Sequence, residues 1–267
     1  MALKGRDAAA QGAARRVILL GASNLTRGCH TVLQLARQAW GGPLDVLAAW
    51  GRGRSYGWNS RLFGRELPGI VACGLWPALA ARPRVPLAAL ITDIGNDLLY
   101  GAETEQIAAW VELCVARLAE AGARTTMTMM PMANLETLSP ARFNFFRRIL
   151  FPHRPLELAT VVAGARDLDA RLRTLVARYE VTMIEQRTDW YGLDPIHLAQ
   201  KNWRRAWREI IFSWNAAMPA NVRVQRSLTR WLRLHALNQE ALRRFGRART
   251  TSQPVARLWN DVTLSLY

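Results

Sequence analysis

The chain has 267 residues, half of them hydrophobic, which excludes global disorder and leaves room for one large domain or one domain plus an appendage. Its net charge of +16 is almost all arginine, because Lys4 and Lys201 are the only lysines; such a balance favours anionic partners without naming one. The cysteines, Cys29, Cys73 and Cys114, are odd in number, scattered and without a CxxC pair, so they suggest neither a disulfide framework nor a zinc site and read as core thiols.

Residues 1–14 are charged and Ala-rich, with no apolar stretch of a secretory signal, and read as a disordered lead-in. No apolar run approaches the roughly 18 residues of a membrane span. The default expectation is a soluble, cytoplasmic protein. Arg16–Gly21 (RVILLG) predicts a buried strand ending at a turn. A helix follows from about Thr26 to Trp40 and stops at Gly41-Gly42-Pro43. Leu44–Trp50 predicts a second strand, followed by the Gly/Arg-rich loop GRGRSYG at 51–57. Pro86–Thr92 predicts a third strand, with the loop DIGND after it, and Glu103–Ala121 has helical spacing. Thr125–Pro131 predicts a fourth strand, residues 140–178 a helical stretch broken near Pro152 and Pro155, and Val181–Glu185 a short fifth strand. Ala199–Met218 predicts a helix whose Trp203, Trp207 and Trp214 form a core face.

Strands that alternate with helices predict a parallel sheet covered on both faces, a three-layer α/β/α fold with five parallel strands. In such sheets the loops beyond the strands' carboxyl ends build the active site. The residues with chemistry fall in those loops. Ser23 lies in Gly21-Ala22-Ser23-Asn24 after the first strand, where a serine is either a nucleophile or a helix N-cap. Asn96 in Gly95-Asn96-Asp97 is either an oxyanion donor or a turn residue. Asp194 stands three residues before His197, so either its carboxylate holds one ring nitrogen and leaves the other as a base, or Asp194 is a cap and His197 a surface or buried polar residue. A glycine of the 51–57 loop can let backbone N–H groups approach a substrate. Asp93 and Asp97 flank Asn96 and read as loop-structuring residues rather than a glycosidase pair. His30 in the first helix and His235 on the tail have no acidic residue within four positions, and His153 sits between prolines in an insertion.

The order Ser, Gly, Asn, Asp, His along successive loops resembles the SGNH/GDSL hydrolase family over roughly residues 16–217, most closely at GASN, IGND and DPIHL. The family's GDSL reads GASN here, so Ala22 and Asn24 replace Asp and Leu. The resemblance implies a flavodoxin-like architecture with Ser23 as nucleophile, His197 as base and Asp194 as its orienting acid. It implies Ser23 N–H, Asn96 and a loop glycine as oxyanion donors; the offset from the strand favours Gly53, with Gly51 and Gly57 as alternatives. The implied activity is ester hydrolysis through an acyl-enzyme, on a lipid, an acetylated sugar or a small ester, with no metal or organic cofactor. Transfer of the acyl group to another acceptor, or a non-catalytic binding role, are the alternatives.

Residues 201–267 hold thirteen Lys/Arg and three Asp/Glu, which is +10 of the +16. Ser227–Phe245 has apolar spacing with a basic face, so residues 219–267 predict a helical extension to a catalytic domain at 15–218. That helix would pack on the domain or on a second copy in a homodimer, lie on an anionic membrane, or bind nucleic acid, in falling order of expectation. Arg52 and Arg54 are either solvated or bind an anionic substrate.

Overall fold

The computed structural model describes residues 15–62, 64–150, 156–215 and 222–267. The lead-in at 1–14, His153 with its flanking prolines, and the predicted junction at 218–219 lie outside the described residues.

The elements run β1 (Arg15–Leu20), α1 (Ser23–Trp40), β2 (Leu44–Ala49), β3 (Ser60–Leu62), β4 (Arg65–Leu67), α2 (Leu75–Ala80), β5 (Leu87–Ile91), α3 (Asn96–Leu99) and α4 (Thr104–Glu120). They continue with β6 (Ala123–Thr128), α5 (Met132–Glu136), α6 (Pro140–Leu150), α7 (Leu158–Arg178), β7 (Thr182–Ile184) and α8 (Trp203–Phe212). The last quarter holds α9 (Leu228–Ala236), β8 (Ala241–Arg244), β9 (Arg247–Thr250), β10 (Ala256–Leu258) and β11 (Val262–Leu266).

The central sheet has the order β10-β11-β2-β1-β5-β6-β7 and is parallel except for the β10–β11 pair. Side chains alternate across it, as strand geometry requires. Val17, Leu19, Val46 and Leu90 join a core with Val32 and Leu33 of α1 and Trp207 and Ile210 of α8. Ile18, Leu20, Leu47 and Ile91 join a second core with Val111 of α4 and Leu168 of α7. Both faces are therefore buried, which is why the inner strands read as continuous apolar runs. Gly28 allows the closest helix contact, since a Cβ there would come within 2.2 Å of the Trp207 indole nitrogen. Trp207 and Trp214 are fully buried and Trp203 packs beside them, so the tryptophans join the core, but α8 spans only Trp203–Phe212 of the helix expected over 199–218 and Trp214 lies beyond its end.

Two expectations are corrected. The sheet has seven strands, not five, and the tail beyond residue 219 is not a helical extension. Its helix ends at Ala236, and β11 runs parallel to β2 from Val262↔Leu44 to Leu266↔Ala48. Val262, Leu264 and Leu266 are buried on β2's open edge, so the tail completes the core. An unpaired β2 edge would expose backbone donors and acceptors, and β11 satisfies them. Arg37 of α1 donates to both oxygens of Asp261, which fixes the approach of β11. The segment Ala241–Arg244 is a strand rather than helix. It joins a second, antiparallel sheet in the order β3-β4-β8-β9.

Because Leu264 is fully buried, Leu264→Ala is expected to lower the free energy of unfolding by about 2–5 kcal/mol. Urea denaturation measures this; an unchanged midpoint would mean that the tail is an appendage after all.

Candidate active site

Ser23 is the first residue of α1, at the carboxyl end of β1. A Cβ at Gly21 would come within 2.7 Å of Thr92 Cγ2, so only glycine lets this turn sit so close to the end of β5. The preceding Ala22 gives the helix no side-chain cap. Asp93 supplies it from the next loop: its Oδ2 accepts from Ala22 N–H (2.8 Å) and from Leu25 N–H (3.1 Å). A carboxylate at a helix start satisfies orphan donors and complements the helix dipole. Ser23 is therefore not spent as an N-cap, and its hydroxyl is free for another partner.

That partner is His197. Its Nε2 lies 3.0 Å from Ser23 Oγ, and its Nδ1 lies 2.6 Å from Asp194 Oδ2. The other oxygen of Asp194 accepts from the backbone N–H groups of Ile196 (3.0 Å) and His197 (3.1 Å). The three-residue offset thus closes a small turn that aims the ring. Burial works against the Asp194 charge, but the hydrogen bonds from the His197 ring and the two backbone N–H groups outweigh it and hold the carboxyl below its ordinary range. Arg27, one turn along α1, stands 4.0 Å from the same carboxylate. With Nδ1–H given to Asp194, Nε2 is the acceptor for the Ser23 hydroxyl, a tautomer assigned from the network.

Asn24 joins the two loops. Its amide nitrogen donates to Asp93 Oδ1 (2.8 Å) and to the Ile196 carbonyl (3.1 Å), and its oxygen accepts from Leu198 N–H (2.8 Å). Asn134 of α5 holds the same loop by donating to the Pro195 carbonyl (2.7 Å). Sequence reasoning took Asn24 only as a departure from the family motif; its place beside Ser23 was the one available signal. Asp93 and Asp97 are loop-structuring residues, as expected.

Asn96 starts α3, and its buried amide nitrogen has no hydrogen-bond partner among the described residues. A buried donor without a partner calls for an explanation. In the 51–57 loop, Gly57 N–H already donates to Ser55 Oγ (3.1 Å). Gly53 has φ +65°, and its carbonyl accepts from the Tyr100 hydroxyl (2.9 Å). Arg54 does not face an anionic substrate: it is fully buried and donates to the carbonyls of Pro68 and Trp50 and to the Tyr267 backbone oxygen. Arg52 is exposed. His30 and His235 sit on α1 and α9, hydrogen-bonded to Gln34 and to the Trp231 carbonyl. A cavity of about 80 Å³ opens beside Asn96 and Ile196, with apolar walls from Leu98, Met129, Met130 and Leu135. Among the described residues no group of His, Cys, Asp or Glu is arranged to hold a metal ion.

The fold recurs in solved structures. The aryl esterase of M. smegmatis superposes with a TM-score of 0.52 at 15% identity, over 76% of this chain and 100% of its own. Est24, a carbohydrate acetylesterase from Sinorhizobium meliloti, gives 0.52 at 14% identity, over 75% and 99%. A carbohydrate acetylesterase family member from the same organism gives 0.51 at 16%, over 76% and 98%. The chain has the SGNH-hydrolase fold. No family model matches its sequence, and no curated protein matches it either. At such identities the SGNH likeness is one of architecture, and the chemistry rests on the site itself.

Asp97 braces the site from below. It is fully buried and accepts from Tyr56 N–H (2.8 Å), which ties the 51–57 loop to α3. Burial raises its carboxyl from 3.8 to about 6, against hydrogen bonds from Ser55 and Tyr56. The folded state therefore holds this proton more tightly than the unfolded chain. Its contribution to stability is full below about pH 3.8 and is lost as pH rises through about 6. Wild type should lose about 3 kcal/mol relative to Asp97→Asn across that window, as read by urea denaturation at several pH values; a flat difference would contradict the assignment.

Proposed function

We propose that this protein is a serine esterase that cleaves a carboxylic ester through an acyl-enzyme on Ser23. The observation that carries the reading is the unbroken hydrogen-bonded series from Asp194 Oδ2 to His197 (2.6 Å) and from His197 to Ser23 Oγ (3.0 Å). Nucleophile, base and orienting acid within hydrogen-bond reach are the signature of an activated serine.

His197 Nε2 takes the hydroxyl proton as Ser23 Oγ attacks the ester carbonyl. The charge that develops on the carbonyl oxygen meets the unpartnered Asn96 amide, the Ser23 N–H and the Gly53 N–H. Gly53 is preferred to Gly57, whose N–H is already engaged. The tetrahedral intermediate collapses, and His197 returns the proton to the departing alcohol oxygen. A water molecule then gives a proton to His197 and attacks the acyl-enzyme, releasing the acid and restoring Ser23. Asp194 stays ionised throughout and stabilises the imidazolium. The apolar cavity beside Asn96 suits the hydrocarbon part of a small ester, either its acyl or its alcohol side. The aryl esterase and the carbohydrate acetylesterase that share this fold agree with ester chemistry.

Hydrolysis of p-nitrophenyl acetate tests the reading. Ser23→Ala should lower kcat by about 10,000-fold or more. Asn96→Ala should lower kcat about 100- to 1,000-fold with little change in KM, because its bond forms only in the transition state. Wild-type turnover in Ser23→Ala would refute the assignment.

A further inference from the structure

The second sheet ends in a feature that the catalytic site does not use. Arg244 pairs with Arg247, so β8 and β9 are joined by a two-residue turn, Phe245-Gly246. Both residues are left-handed, with φ +48° and +78°. Such a turn favours Asn, Asp or Gly at its first position, and a bulky residue held there costs roughly 1–3 kcal/mol. The phenylalanine is not burying itself in return, since it is 76% exposed. Its ring lies over Gly64 of the β3–β4 turn, where a Cβ would come within 2.4 Å of it, and its N–H donates to the Gly64 carbonyl (2.7 Å). Leu62, 37% exposed, sits at the same end.

The strand register puts a row of like charges behind this tip. Leu62 pairs with Arg65, Arg65 with Arg244, and Arg244 with Arg247. Directly paired residues share a sheet face, and like charges so placed repel. Among the described residues none of these three arginines makes an ion pair with a carboxylate. Burial, and then the charges of Arg54, Arg244 and Arg52, weaken the hold of Arg65 on its proton. A cationic row behind exposed apolar side chains matches a surface with anionic headgroups above hydrocarbon.

We propose that this end of the second sheet docks on an anionic lipid bilayer, with Phe245 and Leu62 entering the interface and the exposed Arg244 and Arg247 meeting headgroup phosphates, while the half-buried Arg65 adds its charge from behind. The Arg244 guanidinium lies 5.9 Å from the centre of the Phe245 ring, so cation and apolar side chain are presented together; a soluble polyanion would use the arginines alone. Helix α9 also exposes Leu228 and Leu232, but its other side is packed on the domain: Leu234 is buried and Trp231 donates to the Arg27 carbonyl of α1. Leu62 also lies within 3.5 Å of the Cβ position at Gly53, so docking sets the bilayer beside the loop that follows β2.

Cosedimentation with vesicles of phosphatidylcholine alone, or with about 30% phosphatidylglycerol, tests the proposal. Wild type should bind the anionic vesicles, release them at high salt and ignore the neutral ones. Phe245→Asn suits the left-handed turn, so it should keep or raise the melting temperature while weakening vesicle binding at least about tenfold. Arg244→Gln combined with Arg247→Gln should weaken binding and flatten its salt dependence. Equal binding by Phe245→Asn and wild type would overturn the proposal. So would absence of vesicle binding beside tight binding to heparin, which would reassign the row to a soluble polyanion.

Discussion

The site depends on one part-buried hydrogen bond, from the Asn24 amide to the Asp93 carboxylate. Ser23 and His197 are far apart in the chain and belong to loops with no strand pairing between them. Asp93 holds the start of α1 through two backbone N–H groups, and Asn24 holds the His197 loop through Ile196 and Leu198. The two side chains share one bond, so the serine and histidine loops cannot shift independently. Charge-assisted bonds of this kind in a low-dielectric setting are stronger than neutral ones, and an unsatisfied member would be costly. The same carboxylate stands in for the helix cap that Ala22 cannot provide. Asp93 itself is held in a left-handed conformation, φ +61°, at the end of β5, an uncommon state for a residue with a side chain.

The residues of the candidate site were more legible in the sequence than the architecture around them. Ser23 directly follows β1, whose apolar run is continuous, whereas the Asp194–His197 loop follows only the short, largely exposed β7 and was legible through its own spacing. The offset of three between Asp194 and His197 closes a local turn that spacing alone anticipates. Asn24 was not legible as a brace, because its partners Asp93, Ile196 and Leu198 are distant in sequence. Arg54 misled for a related reason: a charged residue in a glycine-rich loop looks solvated, yet three backbone oxygens from separate segments enclose it. The last quarter was the poorest guide. The apolar spacing of Ser227–Phe245 continues past Ala236, where the helix stops and Gln239 crosses to donate to the Trp50 carbonyl. Period-matching cannot register that β2 has an open edge some two hundred residues earlier in the chain, and β11 exists to cover it.

The charge of +16 likewise resolves into unlike parts. Some arginines are structural, such as Arg16, whose buried guanidinium pairs with Asp45, and Arg37, which secures Asp261. Others knit the outer faces of helices, as Arg171 does with Glu105 and Asp167. Exposed pairs of that sort contribute little to stability. The row on the second sheet differs from both, since its members face one another across strands instead of facing acids.

The most direct measurement is labelling with a fluorophosphonate, with the adduct located by peptide mass spectrometry. A single adduct on Ser23 is expected, absent in His197→Ala and formed more slowly in Asn24→Ala, although Asn24 donates to neither member of the pair. An adduct on another residue, or an Asn24→Ala variant labelled at the wild-type rate, would contradict the claim that the Asn24–Asp93 bond holds an activated serine in place.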